Sequence, residues 1–325
     1  MKSGLKTMAI FKRSWTSAER SLARAEFDRL LIANDVLEAL CIAEAGEFLP
    51  LRAQAAPIIA ERIIDCIRDE IPLSLVRIGD GEGNALAVAG PQVGALHVKT
   101  FKAKFLGMTG ASLREDEAIA FCTTMKDVLV SADIIGFRSV DRIRINKELD
   151  VIRSDIERGE IVPAIGMLYA REFLRGMLAR GELRSKTLTS AWIHLALMPH
   201  LAEIMEAAKS VVVITGRSTL KRPFESRLGG RLRAFISVPP ERVRFALRNP
   251  SHYRSAFPRI LDALNTDLRG TLVLVGAGLF GKAYCAAAKK SGAIALDLGS
   301  VFDILAGVPT RHIHAQFDIE KLRWA

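Results

Sequence analysis

From residue 199 to residue 297 the chain alternates between helical and strand patterns with little between them. This limits the fold more than any other feature. Residues 199–209 read as helix and 210–215 as a buried Val/Ile strand. A short strand follows at 234–238, then a helix at 258–269. Residues 271–275 give another strand, 280–291 a helix and 293–297 a last strand. Apolar strands separated by helices cannot close as hairpins. They pair in parallel through crossovers, and a parallel sheet needs cover on both faces. The expectation is an α/β, Rossmann-like fold, with a mainly parallel sheet and helices on both faces.

The upstream half is read in the same way. Residues 17–46 have helical spacing, with Leu22, Phe27, Leu30, Leu31, Val36 and Leu40 on one face. Residues 55–68 form a helix with Pro57 in its first turn, where no N–H partner is needed. A strand follows at 73–78. Ser112 and Glu115 make a capping box for a helix reaching about residue 130. A strand at 133–137 and helices at 144–158 and 164–178 come next, and 186–197 is a strand entering a helix. The simplest partition is a helical N-terminal extension over 1–50, after a basic lead, and one domain over 51–325.

In open parallel sheets, ligands bind beyond the carboxyl ends of the strands. The strand at 73–78 runs into Gly79-Asp80-Gly81-Glu82-Gly83, with Arg77 just before it. Two carboxylates in one glycine turn can face one hard cation, which prefers oxygen ligands. Equally, such acids can be the solvated end of a buried strand.

The second strand-end feature is Gly276-x-Gly278-x-x-Gly281 with Lys282, between a strand and a helix. Asp297 follows at the end of the next strand. Backbone N–H groups at a helix N-terminus favour phosphate oxygens, and the spacing meets the dinucleotide fingerprint, with Asp297 placed for a ribose hydroxyl. Only 28 residues follow Asp297, too few for the strands that normally continue a dinucleotide fold. An NAD- or S-adenosylmethionine-dependent Rossmann enzyme is therefore the alternative reading. The third feature is the basic run Arg217–Arg233. It suits either phosphate contact by Arg217 or a solvated face.

The formal net charge of +10 fits a phosphorylated ligand, nucleic acid or an anionic membrane surface. Basic residues are not interleaved with aromatics, so stacking on single-stranded nucleic acid is not expected. The four cysteines are far apart, which points to buried thiols in a reducing compartment and not to zinc. His312 and His314 read as surface or packing residues. No apolar run reaches membrane-spanning length and no secretory signal is recognised. A cytoplasmic location is expected, with peripheral contact at the inner membrane face left open.

Taken together, Ser74-Leu-Val-Arg-Ile-Gly-Asp-Gly-Glu82 and Val275-Gly-Ala-Gly-Leu-Phe-Gly-Lys282, continued to Ala295-Leu-Asp-Leu-Gly-Ser300, resemble the GT-D glycosyltransferases. This bacterial family was first known as a domain of unknown function. The resemblance covers roughly residues 55–310 and implies one GT-D-type α/β domain. It implies a nucleotide-sugar donor, UDP-linked, and a saccharide or glycosylated acceptor. It also implies a D-x-E motif, Asp80 and Glu82, working with Mn²⁺ or Mg²⁺. Arg77, Gly79, Gly81, Arg217, Gly276, Gly278, Gly281, Lys282 and Asp297 are then the donor-binding candidates. Glu82, Asp297 and Asp303 all stay open as the base. The matching segments do not identify the acceptor, stereochemistry or oligomeric state.

Overall fold

The computed structural model describes residues 15–88, 115–139, 143–144, 147–160, 162–239 and 252–324. Its eight strands are β1 (Glu47–Leu49), β2 (Leu73–Arg77), β3 (Ile134–Phe137), β4 (Thr187–Ser190), β5 (Ser210–Thr215), β6 (Leu232–Ser237), β7 (Thr271–Gly276) and β8 (Ile294–Asp297). They form one sheet in the order β1-β4-β3-β2-β8-β7-β5-β6. β2 pairs in parallel with both β3 and β8, and β7 with both β5 and β8. The α/β, mainly parallel architecture expected from the alternation is what the chain adopts.

Two compact units divide the chain. The sheet unit comprises Gly46–Arg77, Asp127–Gly136 and Ser185–Ala325. The helical unit comprises Met1–Ala45, Ile78–Lys126 and Phe137–Arg184. In the sheet unit, Val211, Val213, Leu272, Leu274, Ile294 and Leu296 are fully buried. The helix Arg52–Arg68 packs Ile59, Ile63 and Ile67 into the same core. Strands apolar at every position need cover on both faces, which is why they read as continuous Val/Leu runs.

The helical unit has its own core, in which Trp15, Phe27, Leu30, Ile152, Ile156 and Leu168 meet. Arg171 is fully buried within it. Its guanidinium donates to both Glu38 oxygens at 2.6 and 2.7 Å, to the Asn34 carbonyl at 2.8 Å and to the Arg138 carbonyl at 3.0 Å. A charge taken out of water is tolerated only when it is paired and hydrogen-bonded.

Several local expectations are corrected. The N-terminal helical stretch breaks at Asp35, giving Ser17–Asn34 and Leu37–Glu44. Leu22 and Val36 are exposed, and only Phe27 and Leu30 of the expected stripe are fully buried. The third helix starts at Arg52, which puts Pro57 inside it rather than in its first turn. β1 has three residues, too few to show a period, and it pairs with β4. The acidic glycine stretch is not a loop: Asp80–Val88 is a helix. The stretch 89–114, with His97, Lys99, Lys102, Lys104 and Ser112, lies outside the described residues, as does the basic lead over 1–14.

Candidate active site

At the centre of the sheet, β2 and β8 lie side by side and end together. Ligands of open parallel sheets bind beyond the carboxyl ends of the strands, and these two central strands end there side by side. Arg77 closes β2 and Asp297 closes β8. The Arg77 Nε donates to the Asp297 carbonyl at 3.0 Å and Nη2 to its Oδ1 at 3.2 Å. Lys282, in the first turn of the helix Gly281–Lys290, places Nζ 3.2 Å from Asp297 Oδ2 and donates to the Gly278 carbonyl at 3.1 Å. One fully buried carboxylate thus holds two cations, and the trio carries one net positive charge.

The local sequence makes this cluster possible. Gly299 has φ +47°, and a Cβ there would stand 2.0 Å from Arg77 Nη2. Only glycine lets the chain turn after β8 while the guanidinium lies against it. Gly276 is required for a different reason, since its Cβ would meet the Phe302 ring at 2.3 Å. Gly278 and Gly281 carry the chain from β7 into the helix. Gly278 lies at φ +55°, and the Cβ of a residue at 281 would press on Val275 Cγ1 at 3.0 Å. The expected strand–glycine–helix turn therefore exists, and it delivers Lys282 to Asp297 at the end of β8.

His194 joins the cluster, and nothing in its sequence setting announced it. It follows Trp192 in an apolar run, like any core residue. In the structure it is fully buried, with Arg77 Nη1 3.1 Å from both ring nitrogens and Ser300 Oγ 3.3 Å from Nε2. Burial and the neighbouring Arg77 and Lys282 charges hold its pKa well below the usual histidine range. The ring is neutral at pH 7 and adds polarity without adding a third cation.

Asp297, expected to serve a ribose hydroxyl or take an acceptor proton, is occupied as an internal counter-ion. The geometry weakens the dinucleotide reading, which needs that carboxylate facing the ligand. Arg217 leaves β5 and donates through Nε to Asp303 Oδ1 at 2.7 Å. Asp303 also accepts from the Thr310 hydroxyl, and Thr310 N donates to His314 Nδ1 at 3.2 Å. His314 is a buried packing residue, in line with the sequence reading. The rest of the basic run is largely structural. Arg231 donates to the Met205 carbonyl at 2.9 Å, Arg233 to the Asp267 carbonyl at 3.0 Å, and Arg227 lies over the Trp324 ring at 4.1 Å.

The acidic motif belongs to the helical unit. Gly79 caps the helix Asp80–Val88, and Asp80, Gly81 and Glu82 form its first turn. Glu82 folds back so that Oε2 accepts the Gly79 N–H at 2.8 Å, half of a capping box. Gly83 sits where another helix crosses, and a Cβ there would lie 1.6 Å from the Gly166 carbonyl oxygen. Among the described residues no group of three or more His, Cys, Asp or Glu could hold a metal. The acidic motif offers the Asp80 and Glu82 carboxylates from the first turn of one helix. That set fits a hard divalent cation.

A parallel α/β sheet with a strand–glycine–helix turn beside its central strands is a Rossmann-like architecture. Within that class the chain belongs to the GT-D-like family, whose GT-D fold-like domain model matches residues 55–305. Membership makes it a glycosyltransferase-type protein. Two solved structures are similar to it. One is the selenomethionine-substituted structure of domain of unknown function 1792, at 15% identity, covering 82% of each chain with a TM-score of 0.40. The other is described as showing that this domain has a distinct glycosyltransferase fold, at 14% identity, covering 81% of each chain with a TM-score of 0.38. No curated protein matches. No described helix is long and apolar enough to cross a membrane.

Proposed function

We propose that this chain transfers a sugar from a nucleoside diphosphate sugar, UDP-linked, to a hydroxyl of a saccharide or glycosylated acceptor. The observation that carries this is the Arg77–Asp297–Lys282 trio. Two cations share one carboxylate at the end of the central strands, beside a glycine turn that opens a helix. The residual positive charge and the helix N-terminus both favour a diphosphate. When sugar transfer breaks the anomeric C–O bond, negative charge develops on the departing diphosphate, and fixed cations stabilise it. Lys282 and Arg77 supply that charge with little reorganisation, because Asp297 already orients them. Arg217 is a further phosphate contact at the end of β5.

Asp80 and Glu82 are the proposed holders of Mn²⁺ or Mg²⁺, which would supply further charge neutralisation for the diphosphate. Asp297 is ion-paired with Arg77 and Lys282, Asp303 with Arg217, and Glu82 accepts the Gly79 N–H. Of these three candidates Glu82 is the one proposed for the acceptor proton, because it belongs to the acidic motif. The test is differential scanning fluorimetry with UDP, NADH and S-adenosylmethionine, each with and without Mn²⁺, followed by transfer assays on a panel of nucleotide sugars with EDTA. Stabilisation by UDP with Mn²⁺ and EDTA-sensitive transfer support the reading. Stabilisation by NADH or S-adenosylmethionine alone overturns it in favour of the other Rossmann chemistries. Full transfer by an Asp80→Ala, Glu82→Ala double variant removes the acidic motif from the mechanism.

A further inference from the structure

We infer that the cavity lined by residues 309–320 is the acceptor site, and that it takes a neutral saccharide. The inference rests on the glycosyltransferase reading above and adds to it a place and a charge for the acceptor.

The cavity has a volume of about 770 Å³, within the roughly 300–1,000 Å³ typical of small-ligand sites. Its lining belongs to the sheet unit, on the chain that follows β8. After Asp297 the chain forms the short helix Val301–Leu305, which carries Asp303, and then reaches Thr310 in the cavity lining. The Asp303 carboxylate bridges two groups. Oδ1 accepts from Arg217 Nε at 2.7 Å, just past the end of β5, and Oδ2 accepts from the Thr310 hydroxyl. One carboxylate therefore separates the cavity lining from the proposed phosphate contact. Sugar transfer needs such closeness, because both reactants must be held together. The acceptor oxygen bonds to the anomeric carbon as the C–O bond to the diphosphate breaks. The diphosphate leaves with the bonding pair, and the hydroxyl proton passes to the base.

The lining identifies the kind of acceptor. Arg311 and His312 offer N–H donors, Asp318 and Glu320 offer carboxylate oxygens, and Phe317 offers a ring. The four polar residues are exposed and Phe317 is half-buried, so a ligand can reach them. Asp318 and Glu320 pair with near neighbours, Lys321 and Arg323, both at 3.2 Å. Exposed pairs of this kind are weak enough to be shared with a ligand. Charges of both signs thus line one space. A phosphate or carboxylate there would meet Asp318 and Glu320, and a cation would meet Arg311, so an ion of either sign is opposed. A neutral ligand rich in hydroxyls meets no such penalty, because each hydroxyl both donates and accepts. Its O–H groups suit the carboxylates and its lone pairs suit Arg311. The apolar C–H face of a sugar ring suits the Phe317 ring. A saccharide combines these features in one molecule.

The test follows UDP release from UDP-sugars by the full chain. Glucose, N-acetylglucosamine, lactose and cellobiose are added as neutral probes, with glucuronic acid and a serine-containing peptide as contrasts. A neutral saccharide is expected to accelerate UDP release and to appear as glycosylated product. Arg311→Ala should raise the KM for that saccharide about tenfold, the scale of one hydrogen bond to a charged group, and leave the KM for the UDP-sugar unchanged. Ala315→Trp, at an exposed position in the lining, should fill the cavity and abolish the stimulation, while thermal stabilisation by UDP with Mn²⁺ stays as in the wild type. Stimulation only by glucuronic acid or by the peptide overturns the inference, as does an unchanged saccharide KM in both variants. A variant that loses stabilisation by UDP as well also counts against it. If the wild type binds UDP and releases it from a UDP-sugar but no neutral saccharide stimulates release, the acceptor inference alone fails. If it neither binds UDP nor releases it from any UDP-sugar, the inference and the glycosyltransferase reading fall together.

Discussion

Lys282 Nζ stands 3.2 Å from Asp297 Oδ2, with one side chain 4% exposed and the other fully buried. The pair joins the helix after the glycine turn to the end of β8, and Arg77 reaches the same carboxylate from the end of β2. Three sheet-edge elements are therefore tied through one side chain. A buried ion pair is a weak source of net stability, but losing one partner leaves a charge out of water with nothing to balance it.

Asp297→Ala should accordingly destabilise the chain by about 3–5 kcal/mol, because it strands both cations. Lys282→Met should cost less, about 1–3 kcal/mol, since Arg77 still pairs with Asp297 and only Oδ2 loses its partner. Urea unfolding of the two variants checks the order. Equal losses would mean that Arg77 contributes nothing to holding the carboxylate.

Gly83 and Gly166 meet at a tight helix crossing in the helical unit, and added Cβ atoms would stand 1.6 and 1.9 Å from backbone oxygens. Backbone cannot swing aside as a side chain can. Gly83→Ala should therefore exceed the ~1–3 kcal/mol typical of overpacking and lower the thermal midpoint by several degrees. Gly166→Ala should do the same. Because the two residues share one contact, the double variant should cost clearly less than the sum. Additive losses would show that the crossing is not shared.

Much of this was legible in the residues. The strands at 210–215 and 271–276 read as buried because Val211–Ile214 and Leu272–Val275 are apolar at every position, and those residues are buried. The strand–glycine–helix turn was legible because glycine at those spacings has few other uses. What escaped was what depends on other parts of the chain. Asp297 looked like a ligand-facing acid, since nothing in its neighbourhood shows that Arg77 and Lys282 will claim both oxygens. His194 carries no local mark at all, as its partners Arg77 and Ser300 lie over a hundred positions away. The Asp80–Val88 helix was obscured by three glycines in five residues, where propensity argues for a turn. Close packing of Gly83 against Gly166 and the Glu82 cap outweigh that propensity.

Acid should destabilise the fold through its buried histidines. Burial pushes His252 down to about 4 and His194 well below its usual range. An unfolded histidine takes up a proton below about pH 6.5, whereas the folded one stays neutral. Proton uptake thus favours the unfolded chain, so the stabilising contribution is complete above about pH 6.5 and is lost as pH falls towards 4. Each such histidine contributes a slope of about 1.4 kcal/mol per pH unit within that window. His252 also meets the Tyr284 hydroxyl at 2.8 Å, a partner glutamine can keep. Between pH 7.5 and 5 the wild type should lose about 2 kcal/mol more than His252→Gln. Parallel pH profiles in urea would show that His252 already carries its proton when folded.

Glu82 has two separable duties, and a pair of substitutions tells them apart. Its Oε2 accepts the Gly79 N–H and closes the first turn of the Asp80–Val88 helix. Glutamine makes the same capping contact through its amide oxygen, so Glu82→Gln should leave stability within about 0.5 kcal/mol of the wild type. Glu82→Ala removes the cap and should cost about 1 kcal/mol. The proposed chemistry needs the carboxylate charge, both for the divalent ion and for the acceptor proton. Sugar transfer should therefore fall on the order of a hundredfold or more in both variants, since general acid–base catalysis alone contributes about 10²–10⁴. Thermal unfolding and transfer rates, measured on the same preparations, give the comparison. Retained transfer in Glu82→Gln, with loss only in Glu82→Ala, would assign Glu82 to the helix cap and leave Asp80 as the one acid of the motif that acts in the reaction.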